Sequence, residues 1–132
     1  MSPIAHARVH ATQVNYRTDI IADGHALVAD EAVGHGGQGA GASPFDLVLS
    51  GLGACTSITL RMYAQRKGWD LGGLVVDLTL FMDRDGNARI ERTLRGSDSL
   101  TAEQWQRLLA IAEKTPVTLL VKHGGSVETR KG

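Results

Sequence analysis

From Leu47 to Leu60 the chain runs for fourteen residues without a charged side chain, between signals that begin and end a helix. Ser43 offers an N-cap oxygen, Pro44 presets the first helical φ, and Asp46 sets an acid against the free N–H groups of the first turn. Gly68, after Arg66 and Lys67, is the matching stop. The spacing predicts a helix of about 24 residues, about 36 Å long. A helix uncharged over such a stretch has to be covered nearly all round, so it reads as a buried core helix. A bilayer span asks for about 20 predominantly apolar residues. Ser50, Thr56, Ser57 and Thr59 interrupt this run, so no membrane is expected, and Gly51 and Gly53 fit close packing.

The flanking patterns are those of a small α+β domain. Ile4 to Val33 shows short apolar runs, among them Ala7, Val9 and Ala11 and then Ala26 to Ala29, with Asp23-Gly24 as a turn signal, and predicts an antiparallel strand set. Gly34 to Ala42 is too rich in glycine for helix or strand and reads as a flexible loop. Leu74 to Phe81 and Ala88 to Leu94, around the turn Asp83-Arg84-Asp85-Gly86-Asn87, predict a hairpin. Thr101 with Gln104 makes a capping box for an amphipathic helix through Trp105, Leu108, Leu109 and Ala112, which Pro116 ends. Val117 to Thr129 reads as one or two short strands. One small sheet covers one side of the long helix, and a second copy of the chain is the simplest cover for the other, so a homodimer is expected.

A length of 132 residues, 42% of them apolar, reads as a single domain, large enough for a core without disulfides or a structural metal. Fourteen basic and fourteen acidic residues give a formal net charge of zero, which lacks the basic footprint nucleic acid requires. The N-terminal residues show no basic region followed by an apolar one, and the one cysteine agrees with a reducing compartment, so the expected location is cytoplasmic.

Cys55, in the middle of the long helix on the stripe Val48, Leu52, Cys55, Thr59 and Met62, is the residue with most chemistry to offer. It reads either as a small buried hydrophobe or as a reactive thiol, and the second needs a cation brought from elsewhere in the chain. His6, His10, His25, His35 and His123 show no ligand spacing, so no metal is expected. His35 alone stands beside the start of the helix, where its loop can lay it over a pocket or leave it in solvent. The glycine loop lacks both the Gly-Lys-Ser/Thr ending of a P-loop and a dinucleotide fingerprint, so no cofactor is expected. Arg61 and Arg66 read as the solvated end of the helix. Arg17 follows Tyr16 in the strand region and reads as a surface arginine or as one that crosses onto the helix.

The segment Ser43-Pro44-Phe45-Asp46-Leu47-Val48-Leu49-Ser50-Gly51-Leu52-Gly53-Ala54-Cys55 and its continuation to Trp69 closely resembles the central-helix signature of the OsmC-like family, and Ala112 to Val117 resembles its other motif. The resemblance implies an intertwined α+β homodimer with two long central helices between sheets. It also implies a thiol peroxidase that reduces organic hydroperoxides at the dimer interface, with Cys55 on the peroxidatic position. Thr115 stands where the family places its second, resolving cysteine, so an internal disulfide is impossible and an external thiol reductant is implied. The family's glutamate, which holds a catalytic arginine, is replaced by Phe45 followed by Asp46, and one residue of shift turns a side chain about 100° around a helix. Arg17 is the N-terminal candidate for that arginine.

Two readings follow. One is a hydroperoxide reductase working through Cys55 alone. The other is a binding module of the same fold, whose interface pocket, lined by Phe45, Leu49 and Leu52, holds a small apolar or thiol-reactive molecule without turnover.

Overall fold

The computed structural model describes residues 1–132, which divide into two compact units, Met1–Val48 and Leu49–Gly132.

In the first unit, β1 (Ala7–Ala11), β2 (Thr18–Ala22) and β3 (His25–Ala29) form an antiparallel sheet in that order. The predicted strand set is present. Asp23 and Gly24, with φ of 47° and 81°, make the two-residue reversal between β2 and β3. Ile20, paired with Val9 on one side and Leu27 on the other, is the buried residue of β2.

The glycine segment is tied, which corrects the expectation of a flexible loop. Val33–His35 forms a short 3-10 turn, and the Asp30 carboxylate, 2% exposed, accepts the N–H groups of Glu31 at 2.7 Å, Gln38 at 3.2 Å and Ala40 at 3.1 Å. A Cβ on Gly37 would lie 2.0 Å from the Glu31 carbonyl oxygen, so this approach of backbone to backbone requires glycine.

Helix α1 (Pro44–Lys67) starts at the end of the first unit and continues into the second. Its predicted boundaries are met. At its C terminus, Gly68 N–H donates to the Gln65 carbonyl at 3.2 Å and Trp69 N–H to Ala64 at 2.9 Å, a Schellman closure. The expectation of a helix covered nearly all round is not met within the chain. Leu52, Gly53, Thr56, Leu60 and Ala64 are buried, whereas Val48, Ile58 and Met62 are exposed. The most apolar window of the helix has a mean hydropathy of 1.2, enough by length and composition to cross a membrane, yet only 28% of it is buried. Steps of 100° per residue place Gly51, Ala54, Ile58 and Met62 opposite the buried stripe, so an uncharged face is left uncovered.

In the second unit, β4 (Val75–Met82) and β5 (Ala88–Arg95) pair antiparallel from Val75 opposite Arg95 to Met82 opposite Ala88. Their alternation turns Val76, Leu78, Leu80, Ile90, Arg92 and Leu94 to the inner, half-buried face. That face meets α1 closely: a Cβ on Gly53 would stand 2.8 Å from the Leu78 side chain. At the reversal, the Asp83 carboxylate accepts the N–H groups of Asp85 and Asn87, both at 2.9 Å, and the Asn87 amide at 3.0 Å.

α2 (Ala102–Ala112) has the predicted capping box, with Gln104 N–H donating to Thr101 Oγ1 at 3.1 Å and Thr101 N–H to Gln104 Oε1 at 2.8 Å. The expected C-terminal strands are absent, which is a second correction. Pro116 does not only end one helical pattern but opens another, α3 (Pro116–His123), as its N1 residue behind the N-cap Thr115. The core of this unit is Leu60, Ala64, Leu71, Leu100 and Leu108, with Tyr63, Trp69, Leu74, Leu94, Trp105 and Ile111 against it.

Candidate active site

Cys55 is a free cysteine and half-buried. It is therefore not the fully buried filler that its residue type and mid-helix position suggest. Its stripe splits in the structure: Leu52 is 4% exposed, while Val48 and Met62 are 51% and 55% exposed. Cys55 stands at the border between the covered and the uncovered face of α1, where a thiol is held by the helix yet open to a small molecule.

Behind it, the next residue anchors the turn. Thr56 is fully buried, and its Oγ1 donates to the Leu52 carbonyl at 2.7 Å and accepts from Arg92 Nη1 at 2.9 Å. Arg92, on the inner face of β5, has a side chain only 11% exposed. A guanidinium so nearly buried has to be met by acceptors, because an unpaired buried charge is costly. Nη1 also donates to Thr118 Oγ1 at 2.9 Å, and Nη2 donates to the Ala112 carbonyl at 2.9 Å and to Glu113 Oε2 at 3.0 Å. Lys122 Nζ shares the Glu113 carboxylate at 3.3 Å.

Thr115 is 1% exposed and belongs to this network, its hydroxyl 2.6 Å from that of Thr118. A groove of about 690 Å³ lies alongside, lined by Leu52, Ile90, Arg92, Leu109, Glu113 and Val121 among others. Of the four pocket residues expected from sequence, Leu52 lines this groove, and Phe45, Leu49 and His35 are not among its lining residues.

Arg17, His35, Phe45 and Asp46 belong to the first unit, and Leu49, Leu52, Cys55 and Thr115 to the second. Arg17 is half-buried, with Nε 3.4 Å from Asp19 Oδ1. His35 is exposed and donates its backbone N–H to Ala32 at 2.9 Å. Phe45 is 57% exposed in the first turn of α1. Asp46 caps that turn: its N–H donates to Ser43 Oγ, and its Oδ2 accepts the Ser43 N–H. Arg61 is exposed at the surface, and its Nη2 donates to the Gly72 carbonyl at 2.7 Å.

Arg92 is the functional candidate that the sequence reading passed over. Its signal was present in the alternation of Ile90, Arg92 and Leu94, which sets a cation in the middle of an apolar strand face.

The sequence pattern of the family described as OsmC-like protein matches residues 35–130. The chain belongs to the OsmC-like family. The fold is shared by solved structures of low sequence identity. An OsmC-like protein from Mycoplasma pneumoniae is 16% identical with a TM-score of 0.76, covering 94% of this chain and 91% of that one. An organic hydroperoxide resistance protein, OsmC, from Legionella pneumophila is 19% identical with a TM-score of 0.66, over 92% and 90% of the two chains. The organic hydroperoxide resistance protein OhrB of Bacillus subtilis is 22% identical with a TM-score of 0.63, over 92% of each. No match is found among curated proteins. This OsmC-like chain thus has the α+β architecture of its family, three helices with antiparallel sheets, and a single cysteine on its long helix.

Proposed function

We propose that the protein is a thiol-dependent peroxidase that reduces organic hydroperoxides through Cys55 alone. The observation that carries this reading is the place of Cys55 in an OsmC-like chain: half-buried, on the border of the uncharged open face of the long helix. Membership of a family whose solved relatives include organic hydroperoxide resistance proteins supports it.

The Cys55 thiolate attacks the outer peroxide oxygen, the O–O bond breaks, and the alkoxide leaves and takes a proton as alcohol, while Cys55 becomes a sulfenic acid. With Thr115 in place of a second cysteine, an external thiol condenses with the sulfenic acid to a mixed disulfide and water. A second thiolate then releases Cys55 and carries away the disulfide. Asp46 and Arg17 are the proposed counterparts of the family's acid and arginine. The working form is a cytoplasmic homodimer in which a second copy covers the open face of α1 and makes an apolar surround for the substrate.

The test is consumption of an organic hydroperoxide and of hydrogen peroxide by the reduced protein with monothiol and dithiol reductants, against Cys55→Ser. Turnover that prefers the organic peroxide and vanishes in the variant is the expected result. Turnover retained by Cys55→Ser refutes it. Absence of turnover with an unmodified thiol favours the binding-module reading, for which the groove alongside Leu52 is the specific support.

A further inference from the structure

We infer that Arg92 is a positioning residue for the helical turn that presents Cys55. The turn from Leu52 to Thr56 is closed at its side by one hydroxyl. Thr56 Oγ1 donates back to the Leu52 carbonyl at 2.7 Å and accepts from Arg92 Nη1 at 2.9 Å. A threonine bonded only to the carbonyl four residues earlier loosens or bends its helix, because the hydroxyl competes with the backbone N–H for that oxygen. Here the guanidinium takes up the hydroxyl's lone pair and fixes the side chain from outside the helix.

The other arms of the same guanidinium reach the end of α2 and the start of α3. Arg92 donates to Thr118 Oγ1, the Ala112 carbonyl and Glu113 Oε2 at 2.9, 2.9 and 3.0 Å. Thr118 in turn donates to the Ala112 carbonyl at 3.1 Å and pairs with Thr115. One rigid planar fork therefore ties the turn carrying Cys55 to the α2–α3 junction. A lysine, with three N–H groups on a single nitrogen at the end of a flexible stem, does not reproduce the four bonds that the two guanidinium nitrogens make here. Arg92 lines the groove and makes its hydrogen bonds to Thr56, Thr118, Ala112 and Glu113, so its effect on the thiol passes through Thr56. The inference rests on the reading of Cys55 as the reactive thiol, and the experiment separates the two.

Arg92→Lys, Thr56→Val and Thr56→Ser are compared with wild type and with Thr93→Ala, a control on the exposed side of the same strand. Folding is monitored by circular dichroism and thermal unfolding. Two rates are read: oxidation of Cys55 by tert-butyl hydroperoxide, trapped as the dimedone adduct, and alkylation of Cys55 by iodoacetamide. Misplacing a reacting group by a fraction of its contact distance is expected to slow oxidation about tenfold in Arg92→Lys and Thr56→Val. Thr56→Ser, which keeps the hydroxyl, restores the rate, and Thr93→Ala leaves it unchanged. Should Arg92→Lys fail to fold, the Val and Ser pair at Thr56 decides, since it alters one hydroxyl or one methyl. Folded variants that lose thermal stability and keep wild-type rates in both reactions overturn the inference. Resistance of the wild-type thiol to peroxide refutes the peroxidase instead, and an alkylation rate that changes in Thr56→Val and returns in Thr56→Ser then still sustains the role of Arg92.

Discussion

Ser43 and Asp46 hold the start of α1 between them: Asp46 N–H donates to Ser43 Oγ at 3.2 Å, and Ser43 N–H donates to Asp46 Oδ2 at 3.1 Å. The aspartate thus performs the return half of a capping box three residues into the helix, the place usually taken by glutamate or glutamine. Asp46→Ala is expected to lower stability by about 1 kcal/mol, and Asp46→Asn, which keeps an accepting oxygen, by clearly less. Thermal unfolding of the two variants checks this. Equal losses would show that the charge, not the capping oxygen, stabilises the turn.

Asp30 gives the first unit an acid-sensitive point. The Ala40 N–H foremost, then those of Glu31 and Gln38 and the charge of Arg17, hold its carboxyl below the usual value of 3.8, against the opposing effect of burial. A carboxyl with a lowered folded pKa stabilises fully above its unfolded value, and that contribution is lost as pH falls through the folded one. Acidification below about pH 3.8 is therefore expected to release the glycine segment. Asp30→Asn should abolish this part of the acid dependence and speed amide exchange at Gln38 and Ala40 at neutral pH. Unchanged protection of those amides in the variant would contradict the tie.

The open face of α1 predicts association. Ile58 and Met62 are more than half exposed on a helix side without charge, the kind of contiguous apolar surface that marks an interface. Analytical ultracentrifugation is expected to give a dimer for the wild type and a monomer for Ile58→Glu with intact secondary structure. A dimer that survives this substitution would move the interface elsewhere.

The core of the second unit predicts a sharp contrast between two leucines. Leu108 is 0% exposed and Leu120 is 60% exposed. Leu108→Ala is expected to cost about 2–5 kcal/mol through lost burial and the cavity left behind, and Leu120→Ala within about 0.5 kcal/mol. Chemical denaturation of both variants measures the difference.

What was readable in the sequence was local. The Ser43 and Thr101 caps, the Asp23-Gly24 reversal, the Asp83–Asn87 turn and the alternation of the hairpin all act within a few residues, so the chain's own neighbours satisfy them. Cys55 stood out because it is the only thiol. Even at the C terminus, where strands were expected, the signal is local: Thr115-Pro116 repeats the cap-and-proline start of Ser43-Pro44 and opens α3.

The sequence by itself determined the elements, their caps and the uncharged helix with its lone cysteine. The tertiary structure alone decided which side of that helix stays open, that Asp30 ties the glycine segment, and that Arg92 lies beneath the Cys55 turn. Arg92 meets Thr56 and Thr118 across 36 and 26 residues of sequence. A buried guanidinium is tolerated only where folding delivers several acceptors to one point, and no local rule announces partners so far apart.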